Sequence, residues 1–314
     1  MQYKEWLNEW LECYVKPSSK QKTYIRYSEI VSQHIVRKLG DYEMSDISPL
    51  ILQRFTTELL LCGNLKTGKG LSANSVNSII TVIQNSLKIA CAIGQIKEYM
   101  ADKIKRPKAR EKQVSCFTPT EQKQIEQAII NGKKPKMFGV VLCLYTGLRI
   151  GELLALEWRD IDFQKGIITV SKSCHDGKDE NGNFARVTDT PKTETSEREI
   201  PFPKQLIPYL RNLKKDSHSI YVVASKTDKL ISVRAYQRSF ELFLKKLRIT
   251  HKGFHSLRHT FATRALECGM DVKTLSEILG HKNANVTLNR YVHSLMDHKK
   301  DMMNRLGKIL LSSI

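Results

Sequence analysis

Residues 253–291 read GFHSLRHTFATRALECGMDVKTLSEILGHKNANVTLNRY. Apolar residues recur at helical spacing in this stretch and predict three short helices. Gly269 and Gly280 each follow an apolar run, in the position where a glycine commonly ends a helix. The third helix is expected over about residues 284–292. The stretch therefore predicts a small helical packing unit near the end of the chain.

Four of the polar side chains in this stretch form a set that the predicted core does not use. His255 and Arg258 are three residues apart, so they project from one helix face. His281 directly follows a predicted helix end, and Tyr291 lies in the third predicted helix. Two imidazoles, a guanidinium and a phenol together indicate a site for a phosphate and a nucleophile. His259 is interpreted as structural.

Composition limits the class of protein. At 314 residues the chain is long enough for two domains. Its 51 Lys and Arg exceed 32 Asp and Glu, and a net charge of +19 favours a nucleic-acid partner over a basic surface that serves solubility. No apolar run approaches the eighteen or so residues of a membrane span, and the amphipathic N-terminus argues against a secretory signal. Seven scattered cysteines without a C-x-x-C pair predict buried free thiols in a reducing cytoplasm.

Residues 1–102 predict a small helical domain. Apolar spacing places helices at about 6–14, 20–39, 49–61 and 72–94. A basic segment follows over residues 103–116, and it is expected to be an extended linker lying along a DNA backbone. The alternative is a solvated tether. The linker residues expected to bind DNA are Lys105, Arg106, Lys108 and Arg110.

Residues 117–314 predict a second, mixed domain. A capping box begins at Thr118 and an apolar helix ends at Gly147, followed by a helix over residues 151–158. Arg149 lies between these two helices, near the expected core, so it needs an anionic partner. Glu152 is the nearest candidate, and a pair with a purely structural role is the alternative.

The β-structure is expected between residues 166 and 202. Strands are predicted around Ile168, over residues 186–193 and over residues 198–202, with a polar loop at 175–183. The last two strands would form a hairpin with Lys192 in its turn. Helices follow at 204–214 and 232–247, and an amphipathic helix at about 299–314 is expected to dock on its own core or on a neighbouring subunit.

Six of these residues, taken in order, resemble the signature of the tyrosine recombinases. They lie in TGLRIGELLAL, PKTETSEREIP, HSLRHTFAT, LGHK and LNRY, and the chain is most similar to integrases of phages and conjugative transposons. The resemblance implies a multidomain, mainly α fold with a small antiparallel β-sheet. A helical SAM-like core-binding domain would precede a tyrosine-recombinase catalytic domain. The six residues are Arg149, Lys192, His255, Arg258, His281 and Tyr291.

The residue types agree with phosphoryl transfer in DNA. Arg149 and Arg258 can each offer two donors to phosphate oxygens, and His281 can add a hydrogen bond. Tyr291 is the expected nucleophile, with His255 as the candidate base. The resemblance assigns protonation of the leaving 5′ oxygen to Lys192. Glu152 is expected to orient an arginine or histidine.

The implied reaction cuts and rejoins DNA through a 3′-phosphotyrosine and a Holliday junction. No ATP, metal or other cofactor is expected, since neither a P-loop nor a carboxylate cluster is evident. The type IB topoisomerases share this chemistry, and a DNA-binding module without catalysis is a further alternative. The chain's small size and terminal helix favour the recombinase, and all six residues are present.

The resemblance also implies partners. These are double-stranded DNA at core sites, three further copies in a homotetramer joined by the last helix in trans, and an excisionase or DNA-bending accessory protein. The expected location is the bacterial cytoplasm, in association with the nucleoid. Many such integrases carry a further N-terminal domain that binds arm sites, whereas this chain begins almost directly with the core-binding helices. Dependence on arm sites is therefore left open.

Overall fold

The computed structural model describes residues 1–109, 115–132, 134–178, 184–189, 197–225, 227, 229–281 and scattered positions between 300 and 310. Backbone contacts divide the chain into two compact units, Met1–Lys112 and Gln113–Ile314. Among the described residues, no helix has the length and apolar character needed to cross a lipid bilayer.

The first unit is helical. Two π-helical turns, Leu11–Val15 and Val31–Ile35, join its first four helices into two continuous ones. The four helices predicted from apolar spacing are therefore confirmed. The helices are α1 (Tyr3–Trp10), α2 (Lys16–Ser18), α3 (Gln21–Ile30), α4 (Val36–Leu39), α5 (Pro49–Cys62) and α6 (Ala73–Ala92).

Aromatic residues of α1 close the core of this unit against α6. Tyr3 and Trp6 are fully buried. The Tyr3 hydroxyl lies 2.8 Å from the Ser86 hydroxyl, and Trp6 Nε1 donates to the Ser86 carbonyl at 3.2 Å. These hydrogen bonds satisfy the polar atoms that the two aromatic side chains carry into the core.

The start of the basic segment is held against the first unit. The Lys105 backbone N–H donates to Gln53 Oε1 at 2.9 Å. The Arg106 guanidinium donates to Thr81 Oγ1 at 3.2 Å and also to the Gln84 side chain. Residues 105 and 106 are thus anchored within the first unit before the chain continues into the second.

The second unit surrounds the apolar helix α8 (Phe138–Thr146). Residues 140–143 of this helix have no solvent exposure. The capping box predicted at Thr118 is present and begins α7. The other helices are α7 (Pro119–Ile130), α9 (Ile150–Ala155), α10 (Ile207–Lys215), α11 (Val233–Lys246), α12 (His255–Glu267) and α13 (Val272–Leu279).

Within the described part of the chain, five strands form two antiparallel sheets. β2 lies between β1 and β5, with Ile168 opposite both Ile161 and Ile200. β3 pairs with β4, with His175 opposite Val187. The strands are β1 (Ile161–Asp162), β2 (Ile167–Val170), β3 (Ser173–Lys178), β4 (Phe184–Asp189) and β5 (Arg198–Pro201).

Three sequence predictions for this region are wrong. The expected loop at 175–183 begins as a strand, because β3 pairs with β4 despite its Asp and Gly residues. The expected hairpin of 186–193 with 198–202 does not form, since β4 and β5 pair with different partners. The helix expected to reach residue 158 ends at Ala155, because the Leu156 carbonyl accepts the Val222 N–H at 2.9 Å instead of a helical donor.

The cysteine prediction holds in part. All seven cysteines are free thiols. Cys143 and Cys174 are buried, but Cys13, Cys62 and Cys268 are exposed. The exposed three lie in or beside helices, where an apolar-looking spacing did not distinguish the inner from the outer face.

Candidate active site

The end of α8 brings the first arginine of the site into place. Gly147 ends this helix with a φ of 65°. A Cβ at this position would lie 2.6 Å from Phe261 Cδ1 and 2.8 Å from Leu279 Cδ2. Only glycine fits both the left-handed backbone and this close approach to α12 and α13. Arg149, two residues later, therefore caps the start of α9 beside the end of α13.

Arg149 is held by two partners. Its Nη1 lies 2.7 Å from Glu152 Oε1, and its backbone N–H donates to Glu152 Oε2 at 2.9 Å. Its Nη2 donates to the Gly280 carbonyl at 3.0 Å. The predicted pair with Glu152 is confirmed. Because 37% of the Arg149 side chain remains exposed, its guanidinium is both oriented and accessible.

The end of α13 presents a set of carbonyl groups. Gly280, with a φ of 61°, donates its N–H to Glu277, and the His281 N–H donates to Ser276 at 3.0 Å. These two bonds make a Schellman motif, which ends the helix before His281. The carbonyls of residues 278–280 are left for side-chain donors, as the ends of helices require.

Three arginines from different elements donate to these three consecutive carbonyls. The negative end of the helix dipole favours cations at this position. Arg149 lies at the start of α9, Arg198 on β5 and Arg258 on α12. The pairs are Ile278 with Arg198 Nε at 2.6 Å, Leu279 with Arg258 Nη2 at 2.6 Å, and Gly280 with Arg149 Nη2 at 3.0 Å.

Arg258 is the most deeply buried of these arginines. It is 2% exposed, and its Nη1 also donates to the Gly147 carbonyl at 2.8 Å. Arg258 therefore connects the ends of α8 and α13 through one guanidinium. Two carbonyl acceptors help to offset the cost of burying the charge.

The histidines of the site lie on and beside α12. His255 is exposed on the first turn of this helix, and its ring lies 4.5 Å from that of His259 in an edge-to-face contact. His259 is largely buried, in agreement with its structural interpretation. The i, i+4 spacing places it on the same helix face as His255, a neighbour that the sequence reasoning overlooked.

Sequence reasoning missed Arg198. Its side chain is 6% exposed and approaches Glu152 through both terminal nitrogens, with Nη2–Oε2 at 2.8 Å and Nη1–Oε1 at 3.2 Å. The sequence contained one signal for this role. Arg198 and Ile200 are two residues apart on β5, so the arginine lies on the same strand face as a buried isoleucine. Such an arginine needs a buried anion.

Glu152 joins two of the cations. Burial of the carboxyl acts to raise its pKa, but the hydrogen bond and charge of Arg198, followed by the charge of Arg149, outweigh burial and lower the pKa to about 2. Glu152 is thus ionised at neutral pH and orients both guanidinium groups.

The structure brings together Arg149, Glu152, Arg258 and the backbone of His281, with His255 three residues before Arg258. Lys105 and Lys108 are exposed in the first unit. Three predicted residues, Lys192, Tyr291 and Arg110, lie outside the described residues. The third helix of the opening stretch also lies outside them, as does most of the C-terminal helix.

Two family models match the chain. The phage integrase family matches residues 115–298, which is more than half of the chain. The N-terminal SAM-like domain of phage integrases matches residues 2–60. These matches cover parts of both compact units.

Relatives of known class match over most of the chain. It is 27% identical to the tyrosine recombinase XerC-like protein of Caldanaerobacter subterraneus subsp. tengcongensis, covering 97% of this chain and 82% of that protein. It is 28% identical to the ICEBs1 integrase of Bacillus subtilis, covering 93% and 79%.

Solved structures share the fold, among them those of two integrases. The Tn1549 transposon integrase in complex with a circular intermediate DNA aligns with a TM-score of 0.81 at 21% identity, over 98% of this chain and 99% of that one. A lambda integrase tetramer bound to a Holliday junction aligns with a TM-score of 0.67 at 22% identity, over 90% and 78%.

The mainly helical fold, with its SAM-like and catalytic units, is that of a tyrosine-type site-specific recombinase. The chain belongs to the phage integrase family. It is an enzyme of DNA integration and recombination.

Proposed function

We propose that this enzyme integrates or excises a mobile element with Arg149, Arg258 and His281 binding the scissile phosphate and Tyr291 as the nucleophile. The observation that carries the proposal is the convergence of Arg149 and Arg258 on the adjacent carbonyls of Gly280 and Leu279. Two guanidinium groups fixed beside the chain that leads into His281 form a preorganised cationic site. A phosphodiester transition state gains charge on its nonbridging oxygens, which such a site stabilises.

Arg149 can donate to a phosphate without leaving its protein partners. Its two described guanidinium contacts use two of five N–H groups. The remaining groups lie on a side chain that is 37% exposed. Arg258, by contrast, is 2% exposed and would donate to the phosphate from the inner side of the site. The phosphate would therefore bind on the Arg149 side.

The proposed chemistry conserves the number of phosphodiester bonds. The Tyr291 oxygen attacks phosphorus as His255 takes the phenol proton, and the bond from phosphorus to the 5′ oxygen breaks. Lys192 protonates the leaving oxygen, which gives a free 5′ hydroxyl and a 3′-phosphotyrosine. A 5′ hydroxyl from the partner duplex then attacks phosphorus and gives its proton back to Lys192, while the bond from phosphorus to the Tyr291 oxygen breaks and His255 returns the proton to the phenol. One ester replaces another at each step, so no external energy source is required.

In this proposal the two units have separate roles in DNA binding and in catalysis. Residues 1–102 bind core sites, residues 103–116 lie along the backbone, and residues 117–314 carry out catalysis. Lys105, Arg106, Lys108 and Arg110 contact phosphates, and the Arg106 guanidinium also holds the segment to Thr81 and Gln84. Each contact releases counterions and adds to the salt dependence of binding.

Recombination of two duplexes cuts each of their four strands once, so four active sites are required. The enzyme would act as a homotetramer on nucleoid DNA in the bacterial cytoplasm, with the C-terminal helix docking in trans. A lambda integrase tetramer bound to a Holliday junction, which shares the fold, supports the proposed number of subunits. An excisionase or DNA-bending protein would set the direction.

A nicked suicide duplex tests the proposal. Cleavage near a nick releases a short strand and traps the covalent protein–DNA adduct. The native protein should form the adduct on its own element's core site, and Tyr291→Phe should not. Absence of an adduct with the native protein would refute the proposal. Relaxation of supercoiled DNA of any sequence without strand exchange would instead identify a topoisomerase.

A further inference from the structure

We propose that Arg198 is a positioning residue, which orients Arg149 through Glu152 and fixes the helix end that leads into His281. This inference rests on the proposed function, because it takes Arg149 and His281 as phosphate-binding groups. Arg198 itself is 6% exposed and lies beneath the site, so it does not contact the substrate in this account.

The first line of contact runs from Arg198 to Arg149. Arg198 Nη2 and Nη1 approach the two oxygens of Glu152 at 2.8 Å and 3.2 Å. Glu152 Oε1 then accepts Arg149 Nη1 at 2.7 Å. One carboxylate is thereby shared by two guanidinium groups, and a two-point contact restricts its rotation more than a single bond would. The direction of the Arg149 donors depends on this restriction.

The second line of contact runs from Arg198 to the chain before His281. Arg198 Nε donates to the Ile278 carbonyl at 2.6 Å. A Cβ at Gly280 would lie 3.1 Å from Arg198 Cδ, so the turn packs directly on the arginine stem. The same side chain therefore supports both the helix end and the carboxylate.

Arginine is the residue type that can make this set of contacts. Its planar guanidinium donates to Glu152 through two nitrogens and to Ile278 through the third. Lysine has one nitrogen and cannot span the carboxylate and the carbonyl in the same geometry. Without Arg198, Arg149 would be the remaining described cation that contacts Glu152, and the Glu152 carboxylate could rotate toward it. The Arg149 donors would then turn from the phosphate position.

A purely structural role is the alternative, and kinetics separates the two. In single-turnover cleavage of the nicked suicide duplex, the final amount of adduct reports the folded, active fraction. The rate constant reports the chemical step in that fraction. A structural residue changes the amount, whereas a positioning residue changes the rate constant.

The test compares Arg198→Lys with the native enzyme and with Arg159→Lys. Arg159 also pairs with a glutamate, Glu157, at 2.6 Å, but its side chain is 73% exposed, which makes it a matched control. We expect Arg198→Lys to lower the rate constant by about 10-fold to 100-fold, with DNA affinity within about 2-fold of native. Arg159→Lys should match the native rate constant.

The same substitution in an Arg149→Lys background tests the path through Arg149. Arg149→Lys already removes the guanidinium that Glu152 orients. In this background Arg198→Lys should therefore lower the rate constant of cleavage much less, by about 3-fold or less. Equal losses in the two backgrounds would overturn the proposal. So would a native rate constant for Arg198→Lys with only the amount of adduct reduced.

If Arg198→Lys has no folded fraction, Arg198→Gln, which keeps hydrogen bonding without the charge, takes its place in the same assays. Failure of both variants to fold would make Arg198 a folding residue and would also overturn the proposal. Failure of the native enzyme to form any adduct would count against the proposed function rather than against this inference.

Discussion

Arg149 and Arg258 donate to the neighbouring carbonyls of Gly280 and Leu279, at 3.0 Å and 2.6 Å. The two arginines are 109 positions apart in sequence, yet one helix end fixes them both. The backbone dipoles at this helix end partly compensate these cations. The candidate active site is therefore assembled around the C-terminus of α13, and under the proposed function the substrate phosphate would enter a framework in which these cations are already oriented.

The Glu152 carboxylate should contribute to stability in a pH-dependent way. Its pKa is lowered from 4.5 to about 2, so its contribution is full above pH 4.5 and is lost as the pH falls through 2. The shift corresponds to a free energy of unfolding on the order of 3 kcal/mol. Glu152→Gln should lose about this amount at pH 7, and the difference from native should shrink at pH 3.5.

Urea unfolding at the two pH values measures this difference. Glu267→Gln is the control, since Glu267 pairs with Arg264 in a more exposed position. A deficit for Glu152→Gln that is the same at both pH values would contradict the depressed pKa of this carboxyl.

Gly147→Ala should destabilise the site. Its φ of 65° strains any other residue, and the new Cβ would lie 2.6 Å from Phe261 Cδ1. We expect a loss of about 2–4 kcal/mol in the free energy of unfolding, together with slower cleavage, because the Gly147 carbonyl accepts from Arg258.

Gly253→Ala is the matched control for this change. Nothing lies within 4 Å of a Cβ at Gly253, and this residue does not have a positive φ. Thermal unfolding of both variants provides the measurement. Equal stability of the two would show that the approach of α8 to α12 is looser than described.

Arg258→Lys should impair catalysis more than DNA binding. One ammonium cannot donate to both Gly147 and Leu279 in the geometry that the two guanidinium nitrogens provide. Single-turnover cleavage should fall about 100-fold to 1,000-fold, which is typical of losing a preorganised donor. Arg264→Lys, on the same helix and 30% exposed, should stay close to native. A fall in DNA affinity with an unchanged cleavage rate would contradict the assignment.

Substitutions in the basic segment should change the salt dependence of DNA binding to different extents. Lys108 is exposed, and Lys108→Ala should reduce the slope of log affinity against log salt by about 0.9. Arg106→Ala should change the slope less, because its guanidinium already donates to Thr81 and Gln84. Lys97→Ala, outside the segment but exposed, is the control. Equal slopes for the native protein and Lys108→Ala would remove this residue from the DNA interface.

Local signals explain what the sequence could predict. Gly147, Gly269 and Gly280 all have the left-handed φ expected of helix ends. Thr118 forms the capping box that its spacing with Glu121 predicts. These features depend on residues within a few positions of one another, and their energies do not require the rest of the fold.

Arg198 shows what the sequence could not predict. Its contacts join residues 152, 198 and 278, so no local spacing encodes them. Strand pairing is also long-range, because β5 pairs with β2, from which residues 171–197 separate it, and not with β4, which precedes it in sequence. Long-range pairing is decided by which faces can be buried together, and a short polar strand such as β3 carries little sign of it.

Mapping the covalent adduct tests whether Tyr291 is the nucleophile. The native protein, trapped on a nicked core-site duplex, is digested with a protease, and the peptide that carries nucleotides is sequenced by mass spectrometry. We expect nucleotides linked through a 3′ phosphate to Tyr291, with Tyr209→Phe forming the same adduct and Tyr291→Phe forming none. Attachment at any other residue, or through a 5′ phosphate, would contradict this assignment.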